Sequence, residues 1–265
     1  METRWLYTTS ENFISLREAS KGICLMPMGC VEKHGFHLPL GTDIMQASEI
    51  AWRASQLEPV CVFPDFTFGD IGESMPTTPP GVISLPVDTQ RLLLKQLCEQ
   101  IVRNGFQKIV IYNGHGGNRP WLNTILGELE NVQVIHIRCD VMSRIAKARA
   151  MKGLTEEDRI LADSCRERKV MDGHAGYSET AYIMGTHPEI VKMNRLGVAN
   201  GMSRKLSEKY KIHGIQIRDD GWEVDFPDWI DSGDPIGCNE RIGQAAVKLE
   251  AERVANVLKR IKNNL

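Results

Sequence analysis

The sequence is short of several things, and each shortage narrows what the chain can be. No apolar run approaches the roughly 20 residues that cross a bilayer, so no membrane-spanning helix is expected. The formal net charge is −2, and without a basic excess there is no electrostatic case for nucleic acid or an anionic membrane. The seven cysteines are scattered, with no Cys-x-x-Cys pair. In 265 residues that points to reduced thiols, several of them buried, rather than a disulfide framework. The beginning of the chain lacks the basic-then-apolar order of a signal peptide, so a cytoplasmic location is expected. There is no internal repeat, low-complexity tract or linker-like shift in composition, so residues 1–265 read as a single domain. With 42% hydrophobic and 25% charged residues the composition is that of an ordinary globular protein.

What is present is concentrated in three segments. The first, Gly29-Cys-Val-Glu-Lys-His-Gly-Phe-His-Leu-Pro-Leu-Gly-Thr-Asp43, packs Glu32, His34, His37 and Asp43 between an apolar run and an amphipathic helix. Carboxylates and imidazoles this close together are a metal-site signal. In extended backbone, residues two apart point the same way, so Glu32 and His34 can address one point. Gly35 lets the chain turn, and Pro39 and Gly41 shape the return to Asp43, which stands where a helix N-cap would. The plainer alternative is a solvated loop acid, a surface histidine and a simple cap; it suits each residue alone better than the cluster.

The second segment, Asn113-Gly-His-Gly-Gly-Asn118, sets His115 among glycines that permit close approach of backbone to a ligand. A phosphate-cradling loop is the rival reading, weakened by the missing Lys-Ser/Thr ending. Asn113 and Asn118 are expected to hold the loop through side-chain-to-backbone hydrogen bonds. The third segment, His174-Ala-Gly-Tyr-Ser-Glu-Thr180, puts His174 in a loop and Glu179 at a helix start, where a Glu is also a common dipole partner.

Hydrophobic periodicity supplies the frame. Strands are expected at 23–28 (with Pro27 against it), 60–63, 82–85, 108–112 and 132–137. Helices are expected at 10–19, at 44–57, at 89–103 with Asp88 as cap, at 119–129, through the charged stretch 140–170, from the His174 segment to Ile183, and at 240–262. The strand–loop–helix–strand order around His115 implies a parallel βαβ unit, with its loop where open α/β sheets bind ligands. The 64–80 segment reads as a long loop. The 186–238 region, with Trp222 and Trp229, reads as irregular, and either Trp is a candidate to close over the site or to fill a core or interface.

Taken together, Glu-Lys-His-Gly-Phe-His-Leu-Pro-Leu with Thr42-Asp43, Asn-Gly-His-Gly-Gly-Asn, His-Ala-Gly with Glu179-Thr180, and Gly233-Asp-Pro235 with Glu240 and Gly243 resemble the creatininase (creatinine amidohydrolase) family. The resemblance implies a three-layer α/β/α domain around a largely parallel sheet, usually a homo-hexamer, with two divalent metal ions. Carried over residue by residue, it implies Glu32, His34, Asp43, His115 and Glu179 as ligands, with Asp43 as the bridge. There are departures. Lys33 stands where the family often has Gln, and Tyr177 where it often has Glu. Creatininase itself places a Glu where this chain has Gly117, which leaves Glu179 as fifth ligand and points away from creatinine as the substrate. Two ions carry +4, and three carboxylates with a bridging hydroxide return −4, so the site can be buried near neutrality. Nitrogen and oxygen donors without a thiolate suit Zn²⁺ or Mn²⁺, with Fe²⁺ also compatible.

The implied activity is hydrolysis of a small-molecule substrate. The ions lower the pKa of a bound water and polarise a carbonyl, and glycine N–H groups of the 114–117 loop help hold the oxyanion. His174 is the expected proton shuttle, Glu179 a further catalytic group, and His37 a residue that orients substrate or supports the ligands. A cyclic amide is the default. Formamide deformylation and C–C hydrolysis of an inositol-derived cyclic diketone (3-dehydro-scyllo-inosose type) are the alternatives within the family. A non-catalytic metal-binding protein and a phosphate-binding α/β protein are the remaining alternatives.

Overall fold

The computed structural model describes residues 1–71, 80–147, 153–167, 172–196, 208 and 235–264. Among them, four apolar runs form a parallel sheet in the order β2–β1–β3–β4: β1 Ile23–Met28, β2 Cys61–Val62, β3 Lys108–Asn113 and β4 Val132–His136. Strand β1 is buried along its whole length, as expected of a central parallel strand covered on both faces. The period-2 alternation sorts the side chains. Ile23, Leu25, Val110 and Tyr112 join one core, with α2 Thr42–Leu57, α5 Val141–Lys147, α7 Tyr177–Thr186 and α8 Glu240–Asn263. Cys24, Met26, Met28, Ile109 and Ile111 join the other, with α1 Ser10–Ala19, α3 Val87–Arg103 and α4 Arg119–Leu126. The result is the expected three-layer α/β/α arrangement. Helix α6 (Glu156–Glu167) is tied to the start of α8 by Asp158, which accepts from Asn239 and Arg241.

Pro27 is tolerated in the middle of the sheet because of where its missing donor would point. Leu25 accepts from Phe63 and Pro27 from Phe66, while Gly29 donates to Phe66. The nitrogen of Pro27 therefore lies along the stretch where the neighbouring chain has left β2, and no ladder bond is lost.

After β1 the chain crosses to one face through α2; after β3 it crosses to the other through α4. Adjacent strands whose connections part in this way open a crevice at their carboxyl ends. The first two sequence segments both leave the sheet there.

Several local expectations are corrected. Helix α2 begins at Thr42, so Asp43 is not its N-cap; Gly41 holds that position and offers no side-chain cap. Helix α3 begins at Val87, with Pro86 before it and Asp88 in its first turn. The 10–19 helix is capped from outside the expected range, by Thr9, which accepts from the Asn12 N–H. Residues 82–85 contribute a single antiparallel bridge, Val31 to Ile83, because among the described residues no further strand lies alongside to extend it. Trp222, Trp229 and much of 186–238 lie outside the described residues, as does part of 64–80.

Two further contacts help to hold α8. Gly185 of α7 and Gly243 of α8 meet backbone to backbone, and a Cβ on Gly185 would sit 2.3 Å from Gly243. Farther along, the buried carboxylate of Glu250 accepts from Tyr112 of β3, Arg144 of α5 and Arg253. Among the described residues no helix is long and apolar enough to cross a membrane, and Cys24, Cys30, Cys61, Cys98, Cys139 and Cys238 are unbridged.

The glycine contact yields a direct test. Gly185→Ala is expected to destabilise the protein by about 1–3 kcal/mol through overpacking, read as a lowered midpoint of urea unfolding. An unchanged midpoint would show that α7 and α8 are not locked at this point.

Candidate metal centre

The site is assembled where three backbone segments come unusually close. Gly29 follows strand β1 directly, and a Cβ there would lie 2.5 Å from the Ile44 nitrogen in the first turn of α2. Gly114, just after β3, is equally tight: a Cβ there would lie 2.5 Å from the Asp43 carbonyl oxygen. Neither φ is in the left-handed region, so these glycines serve close approach rather than an unusual turn. The ends of β1 and β3 are thereby pressed against the start of α2.

Asp43, freed from capping, divides its carboxylate. Oδ1 is 3.3 Å from His34 Nε2, and Oδ2 is 2.7 Å from His115 Nδ1. Glu32 Oε1 is 3.0 Å from His115 Nδ1, 3.8 Å from His34 Nε2 and 3.7 Å from His174 Nδ1. Glu179, in the first turn of α7, brings Oε2 to 3.6 Å from His34 Nε2. Five of the predicted donors, from three separate segments, thus face one another, and His174 joins them.

The other nitrogen of each imidazole is pinned to a backbone carbonyl. His34 Nδ1 is 3.2 Å from the Glu32 oxygen, His115 Nε2 is 2.6 Å from the Asp70 oxygen, and His174 Nε2 is 2.6 Å from the Lys33 oxygen. A carbonyl only accepts, so these nitrogens donate, and each neutral ring turns its remaining lone pair toward the carboxylates. Lone pair facing lone pair is repulsive unless positive charge lies between. His34 Nε2 is buried and has no hydrogen-bond partner. Imidazoles oriented by a carbonyl on one nitrogen and open on the other are how proteins present histidine to a metal. The donor set fits divalent cations on these grounds.

The donors fall into overlapping groups whose ligating atoms lie within 4.8 Å of one another: Cys30, Glu32, Asp43 and His115; His34, Asp43 and Glu179; and Glu32, His34 and His174. Asp43 belongs to the first two groups. Titration behaviour shows the same hunger for positive charge. Burial opposes a charge on His34, but Asp43, Glu179 and Glu32 outweigh it and raise His34 to about 10. Burial likewise works against the Asp43 anion, yet His34 and His115 hold its pKa well below the usual range. Burial pushes Glu179 up to about 8, against the pull of His34 and with Asp43 and Glu32 adding to it.

Other predicted residues sit outside the donor groups. His37 Nε2 pairs with Thr180 Oγ1 at 3.0 Å, so it braces the residue next to Glu179. Asn113 and Asn118 hold the loop as expected: Asn113 donates to the His115 carbonyl, and Asn118 accepts from the Asp70 N–H and donates to Asn113. That network places the Asp70 carbonyl against His115. Ala175, between His174 and Gly176, has φ 54°, left-handed for a residue with a Cβ, and its N–H donates to Glu179. Strain of this kind persists only where surrounding contacts enforce it.

Three contributors were not singled out from the sequence. Cys30 joins the Glu32 group, and the alternation 30, 32, 34 was the available signal. Asp70 acts through its backbone, which leaves no trace in residue identity. Asp172 receives the Ser178 N–H and hydroxyl at the start of α7, with its carboxyl pushed up to about 6 by burial.

The fold and the donors together define a three-layer α/β/α protein with a buried acid–imidazole centre at the carboxyl ends of its central strands. The chain belongs to the creatininase family: the family described as "Creatininase: Creatinine amidohydrolase" matches residues 7–258.

Among its relatives, a mycofactocin precursor peptide peptidase of Mycobacterium ulcerans is 28% identical over 185 residues, covering 66% of this chain and 63% of the relative. The match thus spans slightly less than two thirds of that relative's length. The creatinine amidohydrolase of Pseudomonas putida is 21% identical over 184 residues, covering 66% of this chain and 68% of the relative. A putative creatinine amidohydrolase from Bacteroides fragilis shares the fold with a TM-score of 0.69 at 21% identity, over 98% of this chain and 96% of that one. Zinc–zinc and manganese forms of creatininase share it with a TM-score of 0.71 at 15% identity, over 98% of both chains.

His37 offers a test of how the centre is braced. Burial, then the neighbouring charge of His34, lowers its pKa to about 4. The folded state therefore binds fewer protons at His37 than the unfolded state between about pH 4 and an ordinary histidine value of about 6.5, and stability rises with pH across that window. In chelator-treated protein, His37→Gln is expected to flatten the stability-versus-pH slope between pH 4 and 6.5. An unchanged slope, from urea titrations at each pH, would refute the buried neutral imidazole.

Proposed function

We propose that the chain is a metal-dependent amide hydrolase whose two divalent ions are held by Glu32, Asp43 and His115 on one side and by His34, Asp43 and Glu179 on the other. The observation that carries the reading is the division of the Asp43 carboxylate between two imidazoles whose outer nitrogens are pinned to carbonyls. When bound, such ions lower the pKa of a water toward neutrality and polarise a carbonyl. Zinc or manganese suits the donors, and solved creatininases of this fold are described with those metals.

The chain's own residues then handle the protons. His174 is the most exposed of the three imidazoles, with 15% of its side chain accessible, so it stands toward the substrate side. Its Nε2 proton is committed to the Lys33 carbonyl. Nδ1 therefore takes the proton that the attacking water releases and returns it to the leaving nitrogen. Glu32, 3.7 Å away, steadies the imidazolium formed between those events. His37 acts at one remove, by fixing Thr180 and the start of α7.

The substrate class follows from what the named relatives share. The names creatinine amidohydrolase and precursor peptide peptidase both describe hydrolysis of an amide, one of a small molecule and one of a peptide. A small cyclic amide or a short peptide is therefore the substrate proposed here. Self-association, as a homo-hexamer, belongs to the same reading. Phe36, Leu40 and Ile83 are exposed apolar side chains on the loop that carries Glu32 and His34 and on the strand bridge beside it, where a second copy would shield them.

Metal analysis together with a turnover panel of creatinine, short peptides, formamides and cyclic diketones tests the proposal. His115→Ala is expected to lose bound metal and all turnover; wild-type turnover in that variant would end the metal-hydrolase reading. His174→Gln is expected to keep its metal while kcat falls by about 10²–10⁴, and undiminished kcat would remove His174 as the proton carrier.

A further inference from the structure

The donor groups are not equivalent, and the difference lies in a residue that the function proposed above does not use. Cys30 is fully buried, and its Sγ is 3.1 Å from Asp43 Oδ2. That same oxygen is 2.7 Å from His115 Nδ1, which is 3.0 Å from Glu32 Oε1. Around one tetrahedral ion, with bonds of about 2.0–2.3 Å, neighbouring donors stand roughly 3–4 Å apart; these four atoms, all within 4.8 Å of one another, approximate that spacing. The sulfur is also confined. Gly69 packs so closely on Cys30 that a Cβ there would lie 2.4 Å from the Cys30 Cβ. An independent sign of a cation in this cluster is the buried, partnerless His34 Nε2 directed at the adjoining carboxylates.

We propose that Cys30 is a thiolate ligand, so that one ion position is closed by four protein donors, Cys30, Glu32, Asp43 and His115, while the other, with His34, Asp43 and Glu179, keeps a coordination place open. The inference rests on the reading that this cluster holds metal ions. On binding, the S–H bond now directed at Asp43 breaks, its proton leaves to solvent and a sulfur–metal bond forms. A closed four-donor position anchors; a three-donor position is the one that can admit water or substrate. Thiolate also biases the closed position toward zinc or cobalt over manganese, a preference the nitrogen–oxygen set expected from sequence does not carry.

X-ray absorption at the zinc edge on the full-length wild-type protein, with a cobalt(II) titration followed in the near-ultraviolet, decides the matter. The expected result is a sulfur shell at about 2.3 Å, averaging about half a sulfur per zinc when two ions are bound. With cobalt, a sulfur-to-metal charge-transfer band is expected that Cys30→Ser loses. Two ions per chain with only nitrogen and oxygen neighbours would overturn the proposal and leave the metal centre standing, with Cys30 reduced to a hydrogen-bond donor to Asp43. A charge-transfer band unchanged in Cys30→Ser would overturn it as well. Failure of the wild-type protein to bind either metal would overturn both this proposal and the function proposed above. The absorption measurement needs no variant, so misfolding of Cys30→Ser would not rescue the idea.

Discussion

The sharing of the Asp43 carboxylate between His34 and His115 is the interaction on which the rest of the molecule converges. It requires an acid in the first turn of α2 that does not spend its oxygens on capping the backbone N–H groups of its own helix. Gly41 occupies the cap position without capping, and the helix N-terminus still favours the negative charge through its dipole. It also requires the ends of β1 and β3 to reach the same turn of helix, which only Gly29 and Gly114 allow. The sheet order then follows from this demand: β1 and β3 are neighbours whose connections leave by opposite faces, and the crevice between them is where the three backbones meet.

Two buried acid clusters in this chain show how structural and functional charge differ. Glu250 is surrounded by Tyr112, Arg144 and Arg253. Arginine carries its charge at every relevant pH, so this carboxylate is compensated permanently and joins α8, α5 and the sheet. The carboxylates around Asp43 are compensated instead by imidazoles, whose charge is conditional. Each of those rings has already committed one proton to a backbone carbonyl. The cluster therefore reaches neutrality either by taking up protons, as the raised His34 and Glu179 values indicate, or by exchanging them for cations. A site with that choice is a candidate for metal chemistry. Ala175, held at a positive φ beside His174, shows the backbone accepting strain to keep that part of the cluster in place.

The family places the chain among proteins whose names describe different substrates on one fold. Such divergence is physically reasonable when the reacting apparatus sits at strand ends and the walls come from loops, because loops change without disturbing the sheet.

Local pattern alone was enough for most of the layered frame. β1 emerges at Ile23–Met28 and α1 at Ser10–Ala19, and the helix around Leu94 and Cys98 was in place, because burial on one or both faces leaves a periodic mark on residue types. The donor residues were equally legible, since carboxylates and imidazoles are chosen by the covalent sequence. Local pattern failed where the answer depends on what arrives from elsewhere. Asp43 and Asp88 look like caps until the preceding chain takes the cap position. Residues 82–85 look like a strand, yet among the described residues only the Val31 bridge pairs with them, and Cys30 looks like core until Asp43 is folded against it. The amino-acid sequence thus determined which donor atoms this protein owns. Only the tertiary structure decided which nitrogen or oxygen of each faces the centre, because that choice is made by contacts between segments far apart in the chain, such as Asp70 with His115 or Asp43 with Gly114, and no local pattern carries them.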